Sequence, residues 1–236
     1  MTGVQTCALP IWRDHPAIPL TADEIGREAA RCRDAGAAMI HLHVRDADGG
    51  HVLDAEAYAQ AIAAVKREAG ADMLIQITTE AIGIYAPGAQ MAVVGDVAPE
   101  AFSLALREIL PNEALEVPVA HFLAGEAARD TLIQYILYDV GDLVRFEALM
   151  ARGVVPTKNA SVLYVLGRYT PGQVSAPADL LPFLATATHG LPWAVCAFGA
   201  REAACAVAAA ALDGQDRKST RLNSSHSSVS RMPSSA

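Results

Sequence analysis

Apolar positions along this chain follow two alternating rhythms. Short continuous runs, Met73-Leu-Ile-Gln-Ile-Thr78, Ala101-Phe-Ser-Leu-Ala-Leu106, Leu132-Ile-Gln-Tyr-Ile-Leu137, Val162-Leu-Tyr-Val-Leu166 and Trp193-Ala-Val-Cys-Ala197, have the length and the aliphatic or aromatic content of buried strands. Stretches of helical composition separate most of them, over 113–129, 141–152, 178–187 and 200–212. The first helix is announced by Thr21-Ala-Asp-Glu24, a capping box in which Thr21 caps and Glu24 reaches back, and it runs to Gly36. Asp54 caps a second, whose stripe of Tyr58, Ala61, Ile62 and Val65 ends at Gly70. Buried strands alternating with helices predict right-handed βαβ units and a parallel sheet. No Gly-rich fingerprint follows an early strand, so a (β/α)8 TIM-type barrel is favoured over a doubly wound sheet.

The two ends break this pattern. Residues 218–236 hold no acidic residue, no aromatic and no apolar period, so they cannot bury a face. This tail and the head, Val4-Gln-Thr-Cys-Ala-Leu-Pro-Ile11, resemble translated sequencing-adapter read-through. The expected division is therefore a head over 1–12 outside the fold, a partial barrel domain over 13–214, and a disordered tail over 215–236. The body has ample material for one core, since 52% of the 236 residues are hydrophobic. The net charge is −8, and the tail contributes four bases against the single acid Asp216, so the body is more acidic still. That balance argues against nucleic acid or an anionic membrane as partner. No apolar run reaches membrane-spanning length and the head lacks a signal peptide's basic start, which gives a soluble, cytoplasmic expectation. Cys32, Cys196 and Cys205 lie in apolar surroundings without C-x-x-C spacing and read as reduced thiols.

Candidate chemistry starts at Ala38-Met-Ile-His-Leu-His-Val-Arg-Asp46. His41 and His43 alternate with Leu42 on one strand, so both imidazoles share a face and can converge on one cation. Zn²⁺ suits neutral imidazole, and a catalytic site needs three protein ligands with one position open. Barrel chemistry sits where strands end. That rule directs attention to Arg45 and Asp46 on the same strand, Thr78, Thr79 and Glu80, Ser103 with Arg107 and Glu108, then Arg168, Tyr169 and Glu202. His15 and His51 read as solvated, while His121 and His189 read as surface or loop residues.

Taken together, His41-Leu-His-Val-Arg-Asp46, Gln76-Ile-Thr-Thr-Glu80, Pro99-Glu-Ala-Phe-Ser-Leu104, Leu163-Tyr-Val-Leu-Gly-Arg-Tyr169 and Cys196-Ala-Phe-Gly199 resemble the β-keto acid cleavage enzyme family, of the 3-keto-5-aminohexanoate cleavage type. The resemblance covers roughly residues 13 to 214. It implies a (β/α)8 barrel, with Zn²⁺ held by the two histidines and a glutamate of the last strand. The implied reaction takes a β-keto acid and acetyl-CoA to acetoacetate and a new acyl-CoA, in a homo-oligomer. Residue by residue, His41 and His43 match the zinc ligands, and Thr78, with Thr79 beside it, matches the substrate anchor. Ser103 matches a second anchor loosely, and Arg107 and Glu108 mark a substrate subclass. Arg45 and Asp46 are expected to form an ion pair, or a contact behind the metal ligands, at the mouth.

The family's last strand, with its third ligand, its catalytic acid and an arginine, would follow Gly214, where the adapter-like tail begins. Its first strand would lie before His15. The expectation is an inactive fragment of the enzyme lacking both strands, with the catalytic acid absent. Two alternatives stand beside it: an amidohydrolase-type metal-dependent hydrolase, which needs later histidines such as His121 or His189, and a noncatalytic barrel remnant.

Overall fold

The computed structural model describes residues 18–216 and 228–230. The chain enters α1 (Ala22–Asp34) through the expected capping box: Thr21 Oγ1 accepts from Glu24 N, and the Glu24 carboxylate accepts from Thr21 N at 3.0 Å. β1 (Met39–Leu42) follows, then a hairpin of β2 (Val44–Arg45) and β3 (His51–Val52). The sequence predicted one strand through the histidines. The chain instead breaks at His43, because Asp46 accepts from the N–H groups of Asp48 and Gly50 and so folds the segment back on itself. Asp54 caps α2 (Ala55–Ala69), as expected.

From there each strand is followed by helix: β4 (Leu74–Thr78) and α3 (Pro87–Val97), β5 (Ala101–Ala105) with α4 (Leu106–Ile109) and α5 (Glu116–Ala128), β6 (Leu132–Leu137) and α6 (Val140–Ala151), β7 (Ala160–Leu166) and α7 (Leu181–Thr186), β8 (Trp193–Ala197) and α8 (Glu202–Ala211). β9 (Gln215–Asp216) and β10 (Ser228–Ser230) complete the described elements. The main sheet runs β10-β1-β4-β5-β6-β7-β8-β9, with β10 antiparallel to β1 and every other pairing parallel. Six full-length parallel strands in sequence order, wrapped by helices, are an incomplete (β/α)8 barrel. β9 and β10 fall within the segment expected to carry no element; the head over 1–12 and the rest of that tail lie outside the described residues. No helix among the described residues is long and apolar enough to cross a membrane.

The two faces of the sheet differ. Ile40, Ile77, Phe102, Leu104, Tyr135, Val162 and Tyr164 point outward into one large core with helix residues such as Tyr58, Val94, Leu123 and Phe146. The inner face is polar on one side, where His41 registers with Gln76, Thr78 with Ser103, and Ser103 with Gln134. On the other side it is apolar: Leu163, Val165 and Ala194 pack with Ile136, Tyr138, Cys196 and Phe198 in a separate small cluster. α3 escaped sequence reasoning because its residues, Gly88 and Gly95 among them, show no helical stripe. Among the described cysteines, Cys205 is buried and Cys32 and Cys196 are half-buried, all as free thiols.

His189 lies in a loop, as expected, but is not fully exposed there. It is half-buried between α7 and β8, where its Nδ1 accepts from Leu191 N at 3.0 Å and its Nε2 meets the Tyr164 hydroxyl at 2.8 Å. Burial holds this imidazole below its ordinary pKa, against the opposing pull of Glu147. A protonated ring would aim Nδ1–H at the Leu191 N–H. The unfolded chain binds the proton more readily, so His189 contributes stability above about pH 6.5 that is lost as pH falls through the depressed folded value. Urea unfolding from pH 7.5 to 5.5 is expected to show a steeper loss in wild type than in His189→Gln.

Candidate functional site

The C-terminal ends of β1, β4 and β5 bring the sequence-nominated residues together. His41 is fully buried, and its Nδ1 lies 2.7 Å from Gln76 Oε1 on the neighbouring strand. A carbonyl oxygen only accepts, so Nδ1 carries the proton and Nε2 presents its lone pair. His43 Nε2 stands 3.2 Å away, close enough to donate to that lone pair when no metal lies between the rings. Two imidazole nitrogens on one tetrahedral zinc are separated by about 3.3 Å, so the pair has the spacing of two ligands of one metal. Behind His43, Glu80 Oε2 lies 3.8 Å from Nδ1. Gln76 Oε1 thus takes a hydrogen bond from His41, while the Glu80 carboxylate stands behind His43 at ion-pair rather than hydrogen-bond distance. Among the described residues no three-ligand set of His, Cys, Asp or Glu is preformed, so the fit to zinc extends to two ligands.

His51 departs from the sequence reading: it is buried, not solvated, because pairing of Arg45 with His51 in the hairpin turns it back toward the site. Its Nε2 donates to Glu80 O at 3.0 Å, and its ring meets that of His43 with centroids 5.3 Å apart.

Thr78 and Thr79, expected as substrate anchors, also bond the backbone. Thr78 Oγ1 accepts from Glu80 N, and Thr79 Oγ1 donates to Ser103 O, each at 3.0 Å, so both hydroxyls shape the strand ends. Ser103 Oγ is buried without a hydrogen-bond partner among the described residues, which leaves it able to meet a ligand. Glu108 takes the Ala81 N–H at 3.0 Å. Burial, with Glu80 nearby, pushes its carboxyl up to about 7, against the opposing effects of that hydrogen bond and of Arg168 and Arg107. Arg107 turns aside: it pairs with Asp142 and Asp139 of the α6 N-terminus and lies over the Tyr138 and Tyr169 rings. Arg45 donates to Gly49 O, so it and Asp46 both serve the hairpin turn.

Sequence reasoning passed through Glu80 and Arg168 without giving either a role. Arg168 reaches Glu80 Oε1 at 3.4 Å and covers the Phe198 ring at 5.2 Å. Gly167 and Gly199 let this rim close. A Cβ on Gly167, at φ +81°, would sit 2.6 Å from Val174 O, and one on Gly199, at φ +91°, would sit 2.8 Å from Gln173 O. Gly167→Ala is expected to displace the segment carrying Arg168 and cost about 1–3 kcal/mol in chemical denaturation. Of the histidines a hydrolase reading would recruit, His121 is exposed on α5, and His189 bonds Tyr164 rather than the His41–His43 pair.

A sequence model described as beta-keto acid cleavage enzyme matches residues 4–217, which takes in residues set aside as a head. The chain is 43% identical over 74 residues to a 3-keto-5-aminohexanoate cleavage enzyme of Fusobacterium nucleatum subsp. nucleatum, across 31% of this chain and 27% of that protein. It is 27% identical to a 3-oxoadipate:acetyl-CoA acetyltransferase of Cupriavidus necator, across 51% and 43%. It is 38% identical to a 3,5-dioxohexanoate:acetyl-CoA acetone transferase of Paraburkholderia graminis, across 27% and 20%. The matched stretch spans less than half the length of each of these relatives.

Proposed function

Because this chain belongs to the β-keto acid cleavage enzyme family, we propose that its site serves a zinc-dependent exchange in which a β-keto acid and acetyl-CoA give acetoacetate and a new acyl-CoA. The observation that carries this reading is the 3.2 Å separation of the His41 and His43 Nε2 atoms at the mouth of a parallel barrel sheet. The names of two relatives, each with acetyl-CoA as one reactant of a transfer from a keto acid, support the co-substrate.

Zinc held by His41 and His43 would supply Lewis-acid polarisation of a substrate oxygen. The chain's own groups do the rest. Ser103 Oγ donates to the substrate carboxylate from the inner face beside Thr78, and Arg168 draws that anion toward the rim. Glu108, with its carboxyl near 7, holds a proton close to neutrality and exchanges it with the reacting carbon or oxygen. The apolar patch of Ile136, Leu163, Val165 and Cys196 excludes water from the acyl chain.

Elemental analysis of the protein and of its His41→Ala/His43→Ala variant tests the site. Zinc retained by wild type and lost by the variant supports the reading, whereas no zinc in either sinks it. The chemistry is read separately by label: carbon-14 in the acetyl group of acetyl-CoA must appear in acetoacetate.

A further inference from the structure

We infer that Glu80 is the positioning residue whose carboxylate, on the Nδ1 side of the His43 ring, favours the proton on Nδ1 and so frees Nε2 for a cation. The inference rests on the zinc reading of the same site. It comes from how completely Glu80 is anchored. Its main-chain N–H is taken by Thr78 Oγ1 at 3.0 Å, and its carbonyl receives the His51 Nε2 proton, also at 3.0 Å. With both backbone groups fixed, the carboxylate is stretched between two partners: Oε2 faces His43 Nδ1 at 3.8 Å, and Oε1 faces the Arg168 guanidinium at 3.4 Å.

Arg168 is itself settled on the Phe198 ring at 5.2 Å, with its side chain only 12% exposed. Elements distant in sequence, the β2–β3 hairpin, the end of β4 and the ends of β7 and β8, therefore converge on one carboxylate. The carboxylate lies on the Nδ1 side of His43, away from the facing Nε2 atoms, so its place is behind the ring. Gln76 Oε1 occupies the same position behind His41. One ring is thus hydrogen-bonded to a neutral acceptor, and the other faces an anion at ion-pair distance. An anion raises the basicity of the opposite ring nitrogen more than an amide does, so a Glu80 carboxylate that closes on Nδ1 as a cation takes Nε2 makes His43 the stronger donor of the pair.

The test is a zinc titration of the full chain followed through its histidine ring resonances, comparing wild type with Glu80→Gln. Glu80→Gln keeps size and an acceptor oxygen but removes the charge. The expected result is a zinc Kd raised 10- to 100-fold, together with a shift of the His43 Nδ1–H resonance in the zinc-loaded protein. His51→Phe, which keeps a ring against His43 but loses the bond to Glu80 O, is expected to shift both in the same direction by less. If Glu80→Gln fails to fold, Arg168→Met, which releases the carboxylate, carries the same comparison.

An unchanged Kd in a wild type that does bind zinc overturns the role of Glu80 and leaves the zinc reading standing. A weaker Kd with an unmoved His43 resonance also overturns it, since general loosening of the site gives that pattern. A wild type that takes no zinc overturns both.

Discussion

Glu108→Gln is expected to leave the protein as stable as wild type at pH 5 and to make it more stable at pH 8. The difference follows from burial. Removing most solvent from this carboxyl, with Glu80 close by, lifts its pKa to about 7 from the ordinary carboxylate range. The folded state therefore binds the proton more tightly than the unfolded chain. That contribution is fully present below about pH 4.5 and is lost as pH rises through 7, where the wild type must ionise a buried group. Glutamine stays neutral throughout and can still accept from Ala81 N, so the variant escapes a cost on the order of 2 kcal/mol at pH 8. Urea denaturation at the two pH values reads this directly. Equal stabilities at pH 8 would show that Glu108 ionises there without penalty.

Arg107→Met is expected to do the opposite: destabilise the fold and spare the His41–His43 pair. The sequence made Arg107 a substrate residue because it follows a strand end. Its Nε and Nη2 reach Asp142 at 3.0 and 2.6 Å, and Nη2 also reaches Asp139 at 2.6 Å. Asp142 is nearly buried and also receives the Tyr138 N–H, while Asp139 caps α6. Methionine would leave the Asp142 carboxylate without its cation and remove the charge lying over two tyrosine rings. A fully buried pair broken in this way costs about 3–5 kcal/mol. Arg107 is one-third exposed, so roughly 2–3 kcal/mol is expected, or about 4–12 °C in melting temperature. An unchanged melting temperature with altered substrate preference would restore the sequence-derived role.

These cases show where the sequence stops being legible. Local signals were sufficient for the caps at Thr21 and Asp54, the alternation of strands and helices, and two histidines on one face, because each depends on residues a few positions apart. His51 was misread because the Gly49-Gly50 turn before it looks solvent-facing, and only the strand pairing of β2 with β3 carries it inward. Arg107 and Asp142 are 35 positions apart, and Arg168 and Glu80 are 88 apart, so neither partnership leaves a local trace. The fate of Thr78 and Thr79 was hidden for a different reason: a hydroxyl at a strand end has the same sequence signature whether it meets a ligand or a neighbouring backbone group.

The strand order has a further consequence, for the nascent chain. Each of β4 to β8 pairs with a strand made before it, separated mainly by helix, so the sheet can grow by addition as the polypeptide emerges. His41, His43, His51, Gln76, Thr78, Glu80, Ser103 and Glu108 all belong to the portion synthesised first, whereas the apolar patch on β6 to β8 comes afterwards. The polar constellation can therefore be assembled before the apolar half of the floor has left the ribosome.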